Sequence, residues 1–246
     1  MEALKVIGLS KNFGGIWALR DISFSIESGK TAAIIGPNGA GKTTLLNLLS
    51  GALKPSSGAI YLLGREVSGM AEYRRVRLGL GRSFQLTNIF FGITVLKNML
   101  AAIKAGEGSH FQMIRAIKYD EISYSKARKL LDRSNLWEKR NIVARDLSYG
   151  EQRKLEILLA FAGNPKVLLL DEPTNGLAGS EVNEVVGMIS GLSEAGITVV
   201  LISHDMDVVF RLADLIIVLH YGELIASGTP NEIRTDPRVK RSYLGA

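Results

Sequence analysis

A chain of 246 residues can bury a large core, and α/β folds often run to about 200–250 residues as one unit. It has no cysteine, which excludes a disulfide framework, a thiolate metal site and a thiol nucleophile. The net charge of +6 is spread along the chain without the aromatic-interleaved basic stretches that stack on bases, so nucleic acid is not an expected partner.

Read from the start, Met1–Val6 is not a basic stretch followed by an apolar one, so no secretory signal is expected. Short strands follow at Leu4–Gly8, Ala18–Ile26, whose second half alternates apolar and polar, and the apolar Thr31–Ile35. Directly after comes Gly36-Pro37-Asn38-Gly39-Ala40-Gly41-Lys42-Thr43-Thr44. Gly36, Gly39 and Gly41 let a nest of backbone N–H groups approach phosphate oxygens with no Cβ in the way. Lys42 opens a helix, Lys42–Ser50, so its ammonium and the helix dipole meet the β- and γ-phosphates together. The Thr43 hydroxyl suits Mg²⁺. This spacing predicts a nucleoside-triphosphate site.

The helix ends near Gly51, and a strand Ala59–Leu63 turns at Gly64. The cluster Arg74-Arg75-Val76-Arg77 is expected on the solvated face of a short helix after Gly69, and Arg238–Arg241 is a second small basic cluster. Gly81–Gln85 leads out of this lobe, placing Gln85 at the end of a short strand.

From 88 to 160 the pattern is helical. Thr94 can cap a helix whose Val95, Leu96, Met99, Leu100 and Ile103 share one face. A second helix, Glu121 to Asn135, offers Ile122, Ala127, Leu130 and Leu131. Between them Lys104–Asp120 is poorly patterned and is expected to be mobile or to face a partner. Leu147-Ser148-Tyr149-Gly150-Glu151-Gln152 precedes an apolar helix, Leu155–Ala162. Ser148 and Glu151 form a capping-box pattern, and the same geometry presents a hydroxyl, the Gly150 amide and a helix N-terminus to a phosphate. One phosphate cradle already stands at 36–44, so a second reader suggests a second copy acting in trans.

After Pro165, strands alternate with helices again: Val167–Leu170, Thr198–Ile202 and Leu215–Leu219 are near-continuous apolar runs, as expected in a sheet covered on both faces. None of these runs approaches the about 20 residues that span a bilayer. A cytoplasmic protein is expected, with any membrane role supplied by a partner. The first of these strands ends in Asp171-Glu172, where Asp171 can hold the Mg²⁺ shell and Glu172 can orient or deprotonate a water. His204 follows the next strand, so it and Gln85 stand at two further strand ends, where ligands collect.

These motifs, in this order, resemble the ATP-binding subunits of ABC transporters over nearly the whole chain. Gly36–Thr44 corresponds to Walker A, Gln85 to the Q-loop, Leu147–Gln152 to the ABC signature, Val167–Glu172 to Walker B and His204 to the switch histidine. Phe13 falls at the adenine-stacking aromatic. The resemblance implies an α/β P-loop fold with a mixed or parallel core sheet, an N-terminal antiparallel β subdomain and an α-helical subdomain. It implies one domain over 1–246: core and β subdomain in 1–87 and 161–246, helical subdomain in 88–160, tail in 221–246.

It also implies ATP and Mg²⁺ as cofactors, with Thr43, Gln85 and Asp171 around the metal, Glu172 as catalytic base and His204 as γ-phosphate sensor. Two chains would pair head to tail, Ser148, Gly150 and Glu151 of one facing the Walker A of the other. The second ATPase subunit would be either an identical or a sister chain. Residues 88–160 would dock on transmembrane permease subunits at the cytoplasmic face of the membrane, with a solute-binding protein engaged indirectly. Two residues depart from the family pattern: Tyr149 where many members carry Gly, and Ala178 where Asp or Asn is usual, which touches coupling between the two sites.

Phe13–Leu19, Arg82–Phe90, Leu147–Ile157 and the tail from Gly228 to Gly245 resemble the LivG-type ATPases of branched-chain amino acid importers. The tail is shared with the lipopolysaccharide-exporting ATPase LptB; the Gln85 context and the signature favour the importer. Importers of amides, urea or other small polar solutes remain open, as does a soluble ABC ATPase acting on ribosomes or DNA. The latter's second cassette or long coiled coil is not seen.

Overall fold

A long hairpin, β1 (Glu2–Phe13) and β2 (Ile16–Glu27), leads into β3 (Thr31–Ile35) and helix α1 (Lys42–Ser50). β4 (Ser57–Leu62) and β5 (Arg65–Glu66) return to the hairpin, and α2 (Glu72–Arg77) and β6 (Leu80–Arg82) lead away from it. Three helices form the middle of the chain: α3 (Val95–Gly106), α4 (Glu121–Asp132) and α5 (Tyr149–Ala162). Alternation then resumes with β7 (Val167–Asp171), α6 (Ser180–Glu194), β8 (Thr198–Ile202), α7 (Met206–Leu212) and β9 (Leu215–His220). β10 (Glu223–Gly228), α8 (Pro230–Thr235) and α9 (Pro237–Leu244) close it. This computed structural model describes residues 1–83, 89–106 and 121–244. Gln85 and most of the Lys104–Asp120 segment lie outside the described residues.

Two sheets result. The first is antiparallel in the order β2-β1-β4-β5; the second runs β10-β9-β3-β8-β7-β6, parallel except for the edge strand β10. The central strands are buried along their length and nearly all apolar because both faces are covered. Ala32, Ile34, Val200, Ile202, Ile217 and Leu219 face a core shared with α1 and the antiparallel sheet. Their neighbours Ala33, Ile35, Val199, Leu201, Ile216 and Val218 face α6, α7 and the C-terminal helices. Side chains alternate across a strand, so each of these three strands serves two cores. A third core, built from α3, α4 and α5, includes Val95, Met99, Leu100, Ile103, Ala127, Leu131 and Leu155.

The strand order places β3, β7 and β8 side by side, all pointing the same way. Their C-terminal ends carry Gly36, Asp171-Glu172 and the Ser203-His204 turn, so the topology alone gathers three of the motifs at one edge of the sheet.

Two expectations fail in instructive ways. Arg75 is not on a solvated face: it is 0% exposed. Its guanidinium donates to the carbonyls of Leu48 (2.7 Å) and Leu49 (2.8 Å) at the end of α1, and to those of Met70 and Ser68. The Leu48 and Leu49 carbonyls belong to the last turn of α1, where the Gly51 N–H cap bond also reaches Leu48, and a charged donor serves both. Burial pushes the Arg75 pKa down to about 10, which still leaves it charged at neutral pH. Ile122, expected on the apolar face of α4, is 78% exposed, and Ser123 is buried instead. The face is turned one position, carried by Ala127, Leu130 and Leu131. The signature helix starts at Tyr149, after the Ser148–Glu151 capping box, and buries Arg153 and Glu156 as an ion pair at 2.7 Å.

Candidate active site: a phosphate loop beside a carboxylate–histidine pair

β3 is buried along its whole length and ends against a turn that only glycine can make. Gly36 has φ +152°, and a Cβ there would lie 2.2 Å from the Leu219 carbonyl oxygen. Gly41, at φ +100°, stands where a Cβ would meet Ala18 O and Leu19 Cδ2, each at 2.7 Å. Strand β2 thus presses its Ala18 onto the loop, and its neighbour Trp17 pairs with Asn12 near the hairpin tip. Phe13 sits at that tip, 47% exposed, with the Lys11 ammonium 4.8 Å above its ring.

α1 then starts with no side-chain cap and no acidic residue in its first turn. Its positive end is left uncompensated by the protein, the condition that favours an anion there. Lys42 folds back so that Nζ donates to the carbonyls of Gly36 (2.8 Å) and Pro37 (3.0 Å), bridging the loop. Burial lowers the Lys42 pKa, and the carboxylates of Glu172 and Asp171 oppose that shift. Pro37 is partly covered and Ala40 buried, whereas Asn38, Gly39 and Thr43 are exposed.

At the end of β7, Asp171 is buried, and its Oδ1 has no hydrogen-bond partner. Burial raises its pKa, countered chiefly by the Arg82 guanidinium. A buried carboxylate oxygen without a donor is costly unless something cationic meets it. Among the described residues no cluster of three or more His, Cys, Asp or Glu could hold a metal by itself. The orphaned Asp171 oxygen fits Mg²⁺, which is held through one or two carboxylates and substrate phosphates rather than in an all-protein cage.

Glu172 follows in a left-handed conformation, φ +49°, which a non-glycine residue adopts only where its surroundings enforce it. Its N–H is held by the Ile202 carbonyl at 3.0 Å. His204 Nδ1 lies 2.8 Å from Glu172 Oε2; the carboxylate side chain is 12% exposed and the imidazole 65%. The histidine is set by its own turn, where Asp205 caps α7 by accepting from Asp207 N and Val208 N. Thirty-two residues separate Glu172 from His204 in sequence, and the β7–β8 pairing brings them together.

Ser148, Gly150 and Glu151 are not in this group. Ser148 closes a capping box with Glu151 at the start of α5, and the Lys139 ammonium grips Glu151. Gly150 fits against Glu181 at the start of α6, where a Cβ would be 2.2 Å from its carboxylate oxygen. Arg153, which the sequence reading passed over, reaches the Glu172 carbonyl at 3.4 Å. Its only sequence signal is an Arg and a Glu three residues apart inside an otherwise apolar helix.

Comparison with known proteins decides the lineage. The ABC transporter family matches residues 19–175, more than half of the chain. The chain belongs to the ABC transporter family. The activity common to that family is ATP hydrolysis coupled to transport. Residues 223–246 match the branched-chain amino acid ATP-binding cassette transporter family. The high-affinity branched-chain amino acid transport ATP-binding protein LivG of Salmonella typhimurium is 38% identical, over 98% of this chain and 97% of its own. BraF of Pseudomonas aeruginosa, described in the same words, is 37% identical over the same shares. The lipopolysaccharide export ATP-binding protein LptB of Haemophilus influenzae is 31% identical over 100% of this chain and 98% of its own.

Among solved structures, the ADP conformation of an ATP-binding cassette of an ABC transporter superposes with TM-score 0.89 at 31% identity, covering both chains fully. A cassette in a dimeric post-hydrolysis state with ADP and Pi gives 0.79 at 26% identity, over 92% of this chain and 98% of that one. The fold expected from the motifs, a P-loop ABC ATPase with an antiparallel β sheet and a helical section, is the one observed.

Proposed function

We propose that this chain is the ATP-hydrolysing subunit of a membrane importer whose solutes are branched-chain amino acids or similar small molecules. The observation that carries hydrolysis, rather than nucleotide binding alone, is the Glu172–His204 contact at 2.8 Å. It places a carboxylate and an imidazole together beside a loop built for phosphates. The solute class rests on the LivG and BraF relatives and on the match of the last 24 residues to the branched-chain family.

In this reading the backbone of Gly36–Thr44 and the Lys42 ammonium hold the β- and γ-phosphates, and Phe13 offers its face to the adenine. Thr43, Asp171 and Gln85 would hold Mg²⁺, which when bound neutralises phosphate charge. Glu172 accepts a proton from the attacking water or orients it, and His204 fixes the direction of that carboxylate. The uncapped end of α1 faces charge that is greatest before hydrolysis.

Ser148, Gly150 and Glu151 act on the nucleotide of a second subunit in a head-to-tail dimer, a reading supported by their contacts with one another, with Lys139 and with Glu181. The helical section 88–160 meets transmembrane permease subunits at the cytoplasmic face. Among the described residues no helix is long and apolar enough to cross a membrane, in keeping with a peripheral subunit.

The test is to add tagged Glu172→Gln with ATP to detergent-solubilised membranes of the host and identify what is recovered by mass spectrometry. Polytopic import permeases are the expected outcome, and their identity names the solute. Export permeases would move the assignment to the lipopolysaccharide system. Ribosomes or DNA-bound proteins would overturn a transport role.

A further inference from the structure

We propose that Tyr149 is a positioning residue for Glu172, acting with Arg153 as a two-point clamp between the first turns of α5 and the turn that carries the glutamate. This rests on the hydrolytic reading above and extends it to a residue that the family pattern does not account for.

The turn after β7 is closed by Asn175 N–H donating to the Glu172 carbonyl at 3.1 Å. α5 grips both ends of that turn. The Tyr149 hydroxyl donates to the Asn175 carbonyl at 3.1 Å, and Arg153 Nη2 donates to the Glu172 carbonyl at 3.4 Å. The two gripping side chains are themselves in contact, the Arg153 guanidinium standing 5.8 Å from the centre of the Tyr149 ring. Arg153 is held in turn by its buried ion pair with Glu156.

The ring also leaves a mark on the other side. Gly176 has φ +77°, and a Cβ there would lie 2.9 Å from Tyr149 Cε1. The tyrosine therefore occupies the space a side chain at 176 would need, and the two residues fit as a pair. A glycine at 149 would supply neither the hydroxyl nor the ring.

The clamp matters because Glu172 sits at φ +49°, a conformation with no intrinsic preference for a glutamate. What keeps its carboxylate aimed at His204 is the geometry of the turn, and two of the contacts on that turn come from α5. Ordering the start of α5, where Ser148 is exposed, then bears on the aim of Glu172 in the same chain. A contact at one site thereby reaches the chemistry of another through eight ångströms or so of backbone, about five helical residues.

The test uses purified full-length chain and steady-state Mg-ATP hydrolysis. Tyr149→Phe keeps the ring against Gly176 and removes only the hydroxyl. The expected result is a kcat about fivefold lower with KM, nucleotide affinity and melting temperature nearly unchanged, the size of one lost hydrogen bond expressed in the turnover step. In a Glu172→Gln background, measured by single turnover over hours, the same substitution should cause no further loss, because it acts through that carboxylate.

A Tyr149→Phe chain with wild-type kcat overturns the clamp while leaving the hydrolytic reading intact. So does a loss that persists in full when Glu172 is already Gln, or one accompanied by an equal fall in nucleotide affinity and stability. A wild-type chain that binds Mg-ATP and never hydrolyses it overturns the reading and the clamp together.

Discussion

Helix α1 begins on a glycine loop with no side-chain cap and no acid in its first turn, whereas α5 begins with Ser148 and Glu151 closing a capping box and Lys139 covering the acid. Both ends offer N–H groups and a positive dipole, but only the first is left open by its own chain. Hydrogen bonds to the Ser148 backbone and the Lys139 ammonium pull the Glu151 pKa down, against the effect of its partial burial. The start of α5 is thus a finished structural cap before any ligand arrives. Ser148 Oγ accepts from Glu151 N and still has its own proton to donate. The difference teaches that a motif at a helix start can be a binding device of the first rank or of the second. In the proposed reading the loop at α1 holds the triphosphate, and the cap at α5 adds to one held by a second subunit.

The sharpest way to break this contrast is to remove chemistry from the first site while leaving binding in place. Glu172→Gln should lower steady hydrolysis by about a hundredfold or more while nucleotide affinity is kept and a closed dimer accumulates. Rapid turnover by that variant, followed by phosphate release, would refute the assignment. At the second site, Ser148→Asp separates capping from phosphate reading, since Asp caps a helix as well as Ser does. The melting temperature should stay near that of the wild type, while hydrolysis falls by roughly tenfold because the added charge faces phosphate. Hydrolysis that follows stability alone would make the motif a cap and nothing more.

A smaller effect tests the unpaired acid. Burial holds the folded-state pKa of Asp171 above its ordinary 3.8, so the ionised form is penalised in the folded chain. Stability from this group is therefore fully present below about pH 4 and declines as pH rises through the raised folded value. Asp171→Asn should raise the nucleotide-free melting temperature by roughly 2 °C at pH 7 and show no gain below pH 4, read by scanning calorimetry. A gap that is the same at every pH would assign the effect to packing. Least in size, Ala178→Asp restores the acid usual in the family and should change the Hill slope for ATP more than the affinity. An unchanged slope leaves the coupling to other groups, Tyr149 among them.

Much of this molecule was legible before its structure. Thr31–Ile35, Lys42–Ser50 and Thr198–Ile202 have the bounds expected of them, because the two strands are apolar runs stopped by glycine or a polar turn and the helix lies between Gly41 and Gly51. Of the strand-end motifs, the structure describes Gly36, Asp171-Glu172 and His204 at the strand ends expected of them, because phosphate, metal and water each demand particular side chains at fixed spacing; Gln85 lies outside the described residues. The rest depended on contacts between distant residues. Nothing local marks Arg75 as buried: its worth lies in carbonyls of α1, 26 and 27 residues earlier. The hairpin strands ran longer than their alternation suggested, since β1 carries register shifts that interrupt the period. Nor does any local pattern announce that His204 will meet Glu172, or that a tyrosine in the signature will fill the space beside Gly176.

Arg75 has a mechanical consequence. With Arg82, whose guanidinium binds Ser50 Oγ and Asn47 Oδ1, it pins the far end of the helix that Lys42 begins. A rod fastened at its base does not recoil when its tip is loaded. In the proposed reading, charge arriving at the glycine loop meets a fixed stop, so that any movement on nucleotide exchange falls to the parts of the molecule that those two arginines do not hold.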